Sequence, residues 1–229
     1  MKFTSTLIKG KLIKRYKRFF IDIKVNNQII TAHCPNTGSM MGLLDKGNEV
    51  WVSKNDDPKR KLKYTLEIIK ANKNLIGVNT HRANRIVEHA LKNKLIKDLK
   101  NTKLIKPEFK YSKDTRFDFL CDKKIIEVKN VTLLRKNKIA EFPDAITSRG
   151  TKHLKNLVES IKKKYDPYVL FLTQIQGIEY FKIAKDIDYE YYNNYLFAKK
   201  AGVKFIAYKC SVSSKEIKVE KKIKIIDNE

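Results

Sequence analysis

The sequence has little of what marks secreted or membrane-spanning proteins. Only three of its 229 residues are cysteines, Cys34, Cys121 and Cys210. Because their number is odd and they lie far apart in the sequence, they support neither a disulfide framework nor a zinc site. The longest apolar run, Tyr168 to Leu172, has the length of one strand, far short of the roughly 20 residues that cross a bilayer. The basic N-terminal segment lacks the uninterrupted apolar core of a signal peptide. We therefore expect a reduced, cytoplasmic protein.

Acidic residues are also scarce, since 25 Asp and Glu oppose 50 Lys and Arg and leave a formal net charge of +25. The surplus is spread along the chain, with +12 over residues 1–85 and +13 over residues 86–229. Apolar residues make up 42% of the sequence, so a disordered basic tail is excluded. Such a surplus predicts a polyanionic partner, either nucleic acid or an anionic membrane surface.

The first part of the chain has the pattern of short strands separated by turns. We predict strands over residues 6–13, 19–25, 28–33, 49–53 and 64–70. Asn26-Asn27 between the second and third is a hairpin signal, and residues 35–38 and 54–61 are polar loops. Short strands at this density in a basic sequence predict a small β-barrel of the OB-like kind.

From residue 84 onward the pattern changes to helices alternating with strands. Apolar positions of helical period predict helices over residues 84–99, 151–164 and 189–200, with Gly202 as a C-terminal cap of the last. Strands are predicted over residues 116–121, 125–131, 169–174 and 203–208. This alternation is typical of an α/β sheet covered by helices. We expect two domains, residues 1–82 and 83–229, and a fold that is α/β in its second part and α+β overall.

Two acidic residues of the second part are predicted to face each other. Residues 116–129 have the pattern of a β-hairpin that turns at Asp122-Lys123. A two-residue turn, or a four-residue one, places Asp118 opposite Glu127 with Cβ atoms roughly 5 Å apart, whereas a three-residue loop shifts the pairing by one. Lys129 lies two residues beyond Glu127 and therefore shares its face.

Like charges placed opposite each other destabilise a sheet, and a divalent cation between them would reverse the sign of that interaction. Mg²⁺ and similar hard cations select carboxylate oxygens and keep positions open for water and phosphate. A lysine beside such a cation orients or deprotonates the attacking water and balances phosphoryl charge. The pattern of Asp118, Glu127 and Lys129 thus fits phosphodiester hydrolysis. The alternative is that both acids are solvated residues on the open face of an ordinary hairpin.

Several stretches of the sequence match a known family in the same order along the chain. They are Arg15 to Phe19, His33 to Met40, Lys59 to Lys61, Asn79-Thr80 with Ala83 to Arg85, Arg116 to Phe119, Glu127 to Leu133, and Phe142 to Ala145 through Arg149-Gly150 to His153-Leu154. Together they resemble the sugar fermentation stimulation protein (SfsA) family over essentially the whole chain. The resemblance implies an OB-like domain followed by a mixed-sheet, restriction-endonuclease-like domain of the PD-(D/E)xK nuclease type. It also implies DNA binding and a part in the regulation of sugar catabolism.

The resemblance assigns roles to residues of the hairpin. Asp118 would be the aspartate of the PD-(D/E)xK motif, Glu127 its second acidic residue and Lys129 its lysine, with Mg²⁺ or Mn²⁺ as cofactor. Phe117 stands where the motif has proline, a tolerated departure because proline supplies no ligand. Glu108 also matches a family position, which makes it a candidate auxiliary metal or water contact.

Candidate nucleic-acid contacts lie in both parts of the chain. They are Arg15, Lys17, Arg18, Asn36, Thr37, Arg60 and Lys61 in the first part, and Arg149, Lys152 and His153 in the second. The turn of residues 35–39 has free donors for an anion, or it is purely structural. Likewise, the helix from Thr151 either presents its free N–H groups to phosphate or is a solvated helix capped by Thr151.

The leading hypothesis is a DNA-binding protein with metal-dependent phosphodiester hydrolysis. The competing one is a non-enzymatic DNA-binding regulator of sugar catabolism that keeps the nuclease-like fold. RNA is a further possible partner because OB-like barrels accept either polymer. No membrane partner is expected.

Overall fold

The computed structural model describes residues 1–136 and 138–226, and its first six strands form one sheet. These strands are β1 (Ile8–Tyr16), β2 (Phe20–Val25), β3 (Gln28–His33), β4 (Glu49–Lys54), β5 (Tyr64–Ala71) and β6 (Asn74–Gly77). Their order is β3-β2-β1-β4-β5-β6, and a parallel pairing of β3 with β5 closes the first five into a barrel. The OB-like barrel predicted from the sequence is thereby confirmed, with β6 as an additional strand.

The rest of the chain builds a nine-stranded mixed sheet with helices. Its strands are β7 (Ile105–Lys110), β8 (Arg116–Cys121), β9 (Lys124–Val131), β10 (Leu133–Lys136), β11 (Ile139–Phe142), β12 (Asp166–Thr173), β13 (Tyr180–Ile183), β14 (Lys204–Val212) and β15 (Ile217–Ile225). The helices are α1 (Ala83–Lys92), α2 (Ser148–Lys162) and α3 (Tyr189–Ala201). The strand order is β10-β11-β13-β15-β14-β12-β9-β8-β7. This architecture confirms the α/β prediction.

Strand β12 forms the centre of this sheet. It is parallel to β9 on one side and to β14 on the other, and all but its first residue are buried. Both faces are covered, which explains its continuous apolar sequence. The barrel contacts the sheet just after the C-terminal end of β12. There Gly77 N of β6 donates to Gln174 O at 2.8 Å, and Ile76 forms a bridge with Ile175. The apolar interior is continuous across this contact, and the division into residues 1–82 and 83–229 stays a prediction.

Two helices differ from their predicted bounds. Helix α1 ends at Lys92 instead of running to residue 99, because Lys94 takes a left-handed conformation (φ 56°) and stops the helical hydrogen bonds. The residues Lys97–Leu99 form a separate 3-10 turn. Helix α2 begins at Ser148, three residues before the predicted start, and its N-cap is Thr147 rather than Thr151. Helix α3 ends as predicted, at Gly202 with φ 108°.

None of the helices within residues 1–136 and 138–226 is long and apolar enough to cross a bilayer.

Candidate functional site

The hairpin of β8 and β9 has the predicted register. Cys121 pairs with Lys124 and Phe119 with Ile126, and Asp122 occupies the turn with φ 55°. The pairing of the two strands ends there, one pair before Asp118 and Glu127. Phe117 and Phe119 are both buried but belong to different apolar clusters, so the alternation of β8 is interrupted at Asp118. Asp118 contacts α1 and Glu127 contacts α2, and the pairing does not confirm the prediction that the two acids share one face.

Asp118 lies in a largely buried position between the hairpin and α1. Its Oδ2 accepts a hydrogen bond from Val128 N at 2.7 Å, and its Oδ1 accepts one from Asn84 Nδ2 at 2.7 Å. Burial, and then the negative charge of Glu127, raise the pKa of Asp118 to about 6 despite these hydrogen bonds. The carboxyl group is therefore held where an additional positive charge would stabilise its ionised form.

Glu127 is more deeply buried, with 4% of the residue exposed. Its Oε1 accepts from Lys129 Nζ at 2.7 Å and also contacts Nδ1 of His153. Burial alone would raise the pKa of Glu127, but Lys129 and His153 lower it below the ordinary value. The second oxygen, Oε2, is buried and has no hydrogen-bond partner among the described residues. This environment contradicts the alternative in which both acids are solvated on an open face.

The two carboxylates fit a hard divalent cation. Glu127 is ionised and has one buried oxygen without a hydrogen bond among the described residues, and its charge raises the pKa of the neighbouring Asp118. A cation between the two would coordinate that oxygen and compensate the negative charge of both carboxylates. Within the described parts of the chain, no group of three or more His, Cys, Asp or Glu side chains is arranged to hold a metal. Any cation would therefore complete its coordination with water or substrate oxygens.

Glu108 lies at the edge of this site. It is exposed on β7, where Arg116 Nη1 lies 3.5 Å from its Oε2, and it lines the same pocket as Asp118. Its predicted role as an auxiliary metal or water contact stays a prediction.

A basic pocket adjoins the site on the side of α2. It contains Arg149 and Lys152 together with Lys110, Lys113, Arg116 and His153, and Asp114 is its one acidic residue. The three residues predicted near this helix therefore lie together, but His153 is buried, contacts Glu127, and meets the ring of Phe117 edge-on at 5.9 Å. His153 thus holds Glu127 of the acidic centre, which consists of Asp118 and Glu127, from inside the protein. Arg149 and Lys152 lie exposed at the surface.

The predicted contacts of the barrel separate into different environments. Arg15 is committed to the backbone, since Nη2 donates to Asn36 O at 2.7 Å and Nη1 to Gly38 O at 3.0 Å. Asn36 is buried, and its Oδ1 accepts from Gly38 N at 2.9 Å. These two residues shape the loop after β3. The exposed members of the predicted set are Lys17, Arg18, Thr37 and Lys61, and Arg60 lies in a separate pocket between the barrel and α1.

Asn84 is a site residue that our list of candidates from the sequence omitted. It lies in the first turn of α1 and orients Asp118 through the 2.7 Å hydrogen bond. Its local sequence has no motif that would single it out. The only signal was its membership in the Ala83-Asn84-Arg85 block of the family resemblance.

The fold and the acidic hairpin define a class of protein in which an OB barrel precedes a mixed α/β sheet. The chain belongs to the sugar fermentation stimulation (SfsA) family. The family model "SfsA N-terminal OB domain" matches residues 13–78, and "Sugar fermentation stimulation protein RE domain" matches residues 81–216.

Relatives support this assignment along the whole chain. A sugar fermentation stimulation protein homolog of Pelagibacter ubique is 66% identical over 231 residues, covering 99% of this chain and 100% of that protein. The homolog of Pseudoalteromonas atlantica is 40% identical over 234 residues, covering 99% and 100%. In fold, the chain is similar to the solved Pyrococcus furiosus SfsA in complex with Ca²⁺, with a TM-score of 0.88, 22% identity and coverage of 99% and 98%.

Proposed function

We propose that this protein binds DNA and hydrolyses its phosphodiester bonds in a reaction that depends on a divalent cation. The observation that carries the proposal is the buried Oε2 of Glu127, which has no hydrogen-bond partner in residues 1–136 and 138–226, beside Asp118, whose pKa is raised to about 6. Burial raises the cost of ionising both acids, and the charge of Glu127 raises it further for Asp118. A cation site explains both features at once.

Asp118 and Glu127 would hold Mg²⁺ or Mn²⁺, and Asn84 would keep Asp118 oriented through its hydrogen bond. Such a cation, when bound, polarises a phosphoryl oxygen and lowers the pKa of a bound water. The Ca²⁺ of the Pyrococcus furiosus SfsA complex is a hard cation of the kind that carboxylates bind, which supports a cation site in this fold.

Lys129 has a distinct task in the proposed reaction. Its ammonium group donates to Glu127 Oε1, so its position is fixed at the acidic centre. From there it orients the attacking water and balances the negative charge that develops on the phosphoryl oxygens. The exposed bases of the α2 pocket, Arg149 and Lys152, hold phosphates of the same strand.

One observation favours the alternative of a non-enzymatic DNA-binding regulator. Lys129 and His153 both engage the same oxygen of Glu127, and a lysine bound in this way is neutralised by the acid that it should assist. In that reading the ion pair is structural and the basic surface alone binds DNA.

Cleavage assays separate the two functions. Labelled single- and double-stranded DNA, and RNA in a parallel series, would be incubated with the protein and Mg²⁺ or Mn²⁺. We expect metal-dependent cleavage that falls by about 100-fold or more in Glu127→Gln and Lys129→Ala. Lys200→Ala, a lysine exposed on α3, is the matched control and should cleave like the parent protein. Binding without cleavage in all of these proteins would establish the regulator instead.

A further inference from the structure

A second basic pocket lies where the barrel meets α1. It is lined by the side chains of Lys54, Arg60, His33, His81, Arg82 and Arg85, with Glu67 beneath them. The cleavage chemistry proposed above uses none of these residues.

The single carboxylate of this pocket is fully occupied. Glu67 is 1% exposed, and its Oε1 and Oε2 accept from Arg82 Nη2 at 2.7 Å and Nε at 2.5 Å. Ser53 Oγ and Asn79 Nδ2 donate to the same carboxylate at 2.7 and 2.9 Å. The charges of Glu67 and Arg82 therefore cancel. Glu67 leaves no negative charge to compensate the other bases that line the pocket.

Of the remaining bases, Lys54 pairs with Asp56 at 2.8 Å, whereas Arg60 and Arg85 have no acidic partner among the described residues. Arg60 donates from Nη2 to Thr65 Oγ1 at 3.1 Å, a neutral partner, and within residues 1–136 and 138–226 the guanidinium of Arg85 has no hydrogen bond or ion pair. The rings of His33 and His81 lie 6.5 Å apart. Burial, and then His81 and Arg60, lower the pKa of His33. Uncompensated positive charge at such density attracts an anion.

This pocket is continuous with the acidic centre. His81 and Arg85 line it, and both also line the neighbouring pocket that contains Asn84, Glu108 and Asp118. A groove thus leads from Arg60 on the barrel, past Arg85, to Asp118 on the hairpin. Its positive end lies on the barrel and its negative end at the proposed cation site.

We propose that the barrel-side pocket binds a backbone phosphate of the nucleic-acid strand, at a distance along the strand from the phosphate that is cleaved at Asp118 and Glu127. Arg60 and Arg85 are its charged donors, and the imidazoles of His33 and His81 lie beside them. This assignment rests on the proposed function, because it assumes that one nucleic-acid strand binds at both ends of the groove. It explains why two guanidinium groups lie in one pocket without a carboxylate of their own.

The test measures binding of a labelled single-stranded DNA by fluorescence anisotropy at several salt concentrations, with Ca²⁺ present. The pocket variant is Arg60→Gln with Arg85→Gln. The matched control, Lys24→Gln with Lys46→Gln, removes the same charge from exposed sites of the barrel outside the pocket. We expect the pocket variant to bind about tenfold more weakly than the control. The slope of log K against log salt should fall by about 0.7, the value for one phosphate of a single strand.

A conservative variant keeps the test independent of folding. Arg60→Lys with Arg85→Lys retains both charges and should recover the parent slope, and thermal unfolding verifies that each variant is folded. Equal affinity and slope for the pocket and control variants would overturn the pocket assignment while leaving the proposed function standing. If the parent protein binds neither DNA nor RNA, the proposed function fails and the assignment fails with it.

Discussion

The carboxylate of Asp144 lies directly against Gly38 of the barrel. A Cβ atom at position 38 would come within 2.2 Å of Oδ2 of Asp144. The same carboxylate accepts from Met40 N at 3.3 Å, and the backbone oxygen of Asp144 accepts from Ser39 Oγ at 2.7 Å. The sequence left two interpretations open for the turn of residues 35–39, an anion site and a structural turn. In the structure the Asp144 carboxylate of the same chain lies against this turn, and the contact joins the barrel to the segment after β11.

This contact predicts that Gly38→Ala destabilises the protein by about 1–3 kcal/mol, the usual cost of forcing an extra methyl group into a packed site. The added Cβ would have to displace the Asp144 carboxylate, which is held by the Met40 N–H. Urea unfolding followed by circular dichroism measures the change.

A double-mutant cycle identifies the cause of that loss. If the clash with Asp144 is responsible, Gly38→Ala should cost much less in an Asp144→Ala background, because residues in contact are not additive. Equal costs in both backgrounds would show that the glycine is needed for another reason.

The raised pKa of Asp118 predicts a pH dependence of stability in the absence of divalent cations. Its pKa is about 6 in the folded protein and about 3.9 in an unfolded chain. Between these values the folded state binds more protons, so the free energy of unfolding falls as pH rises from about 4 to about 6 and then levels off. This contribution amounts to about 2–3 kcal/mol at full ionisation.

Asp118→Asn removes that contribution and supplies the measurement. With EDTA present, the stability of the variant relative to the parent should increase by about 2 kcal/mol between pH 4.5 and 7.5. Using the difference between two pH values cancels the constant cost of replacing the hydrogen bonds to Asn84 and Val128. A difference that does not change with pH would contradict the raised pKa.

Cation binding at the acidic centre should be visible without any nucleic acid. A ligand that binds only the folded state stabilises it by about 2.7 kcal/mol at 100 times its Kd, so Ca²⁺ should raise the Tm of the parent protein in a concentration-dependent way. Glu127→Gln should abolish the rise, and Glu159→Gln, which alters an exposed acid on α2, should leave it intact. An equal rise in both variants would exclude Glu127 as a ligand.

The start of α2 supplies a stability test of a single hydrogen bond. Thr147 Oγ1 accepts from Gly150 N at 3.1 Å and so caps the helix. Thr147→Ala should lower the free energy of unfolding by about 1 kcal/mol, whereas Thr147→Ser retains the hydroxyl and should have a small effect. Equal losses in the two variants would show that the methyl group, not the cap, stabilises this position.

Much of the hairpin and the barrel could be predicted because their signals are local. A two-residue turn fixes the register of β8 and β9 as far as the pair of Phe119 and Ile126. The Asn26-Asn27 turn likewise pairs Val25 with Gln28. Six strands escaped prediction, since they are short or carry many lysines and their pairing depends on distant neighbours: β6, β7, β10, β11, β13 and β15.

By itself the sequence determined the basic charge, the family, the barrel and the hairpin that carries the two acids. These follow from composition and from residues close together along the chain. Only the tertiary structure decided which groups complete the site, because Asn84 reaches Asp118 across 34 positions and His153 reaches Glu127 across 26. It also committed Arg15 to backbone oxygens and left Arg85 without a hydrogen bond or ion pair in the part of the chain that the structure describes. Hydrogen-bond partners depend on packing in space, which no local pattern encodes.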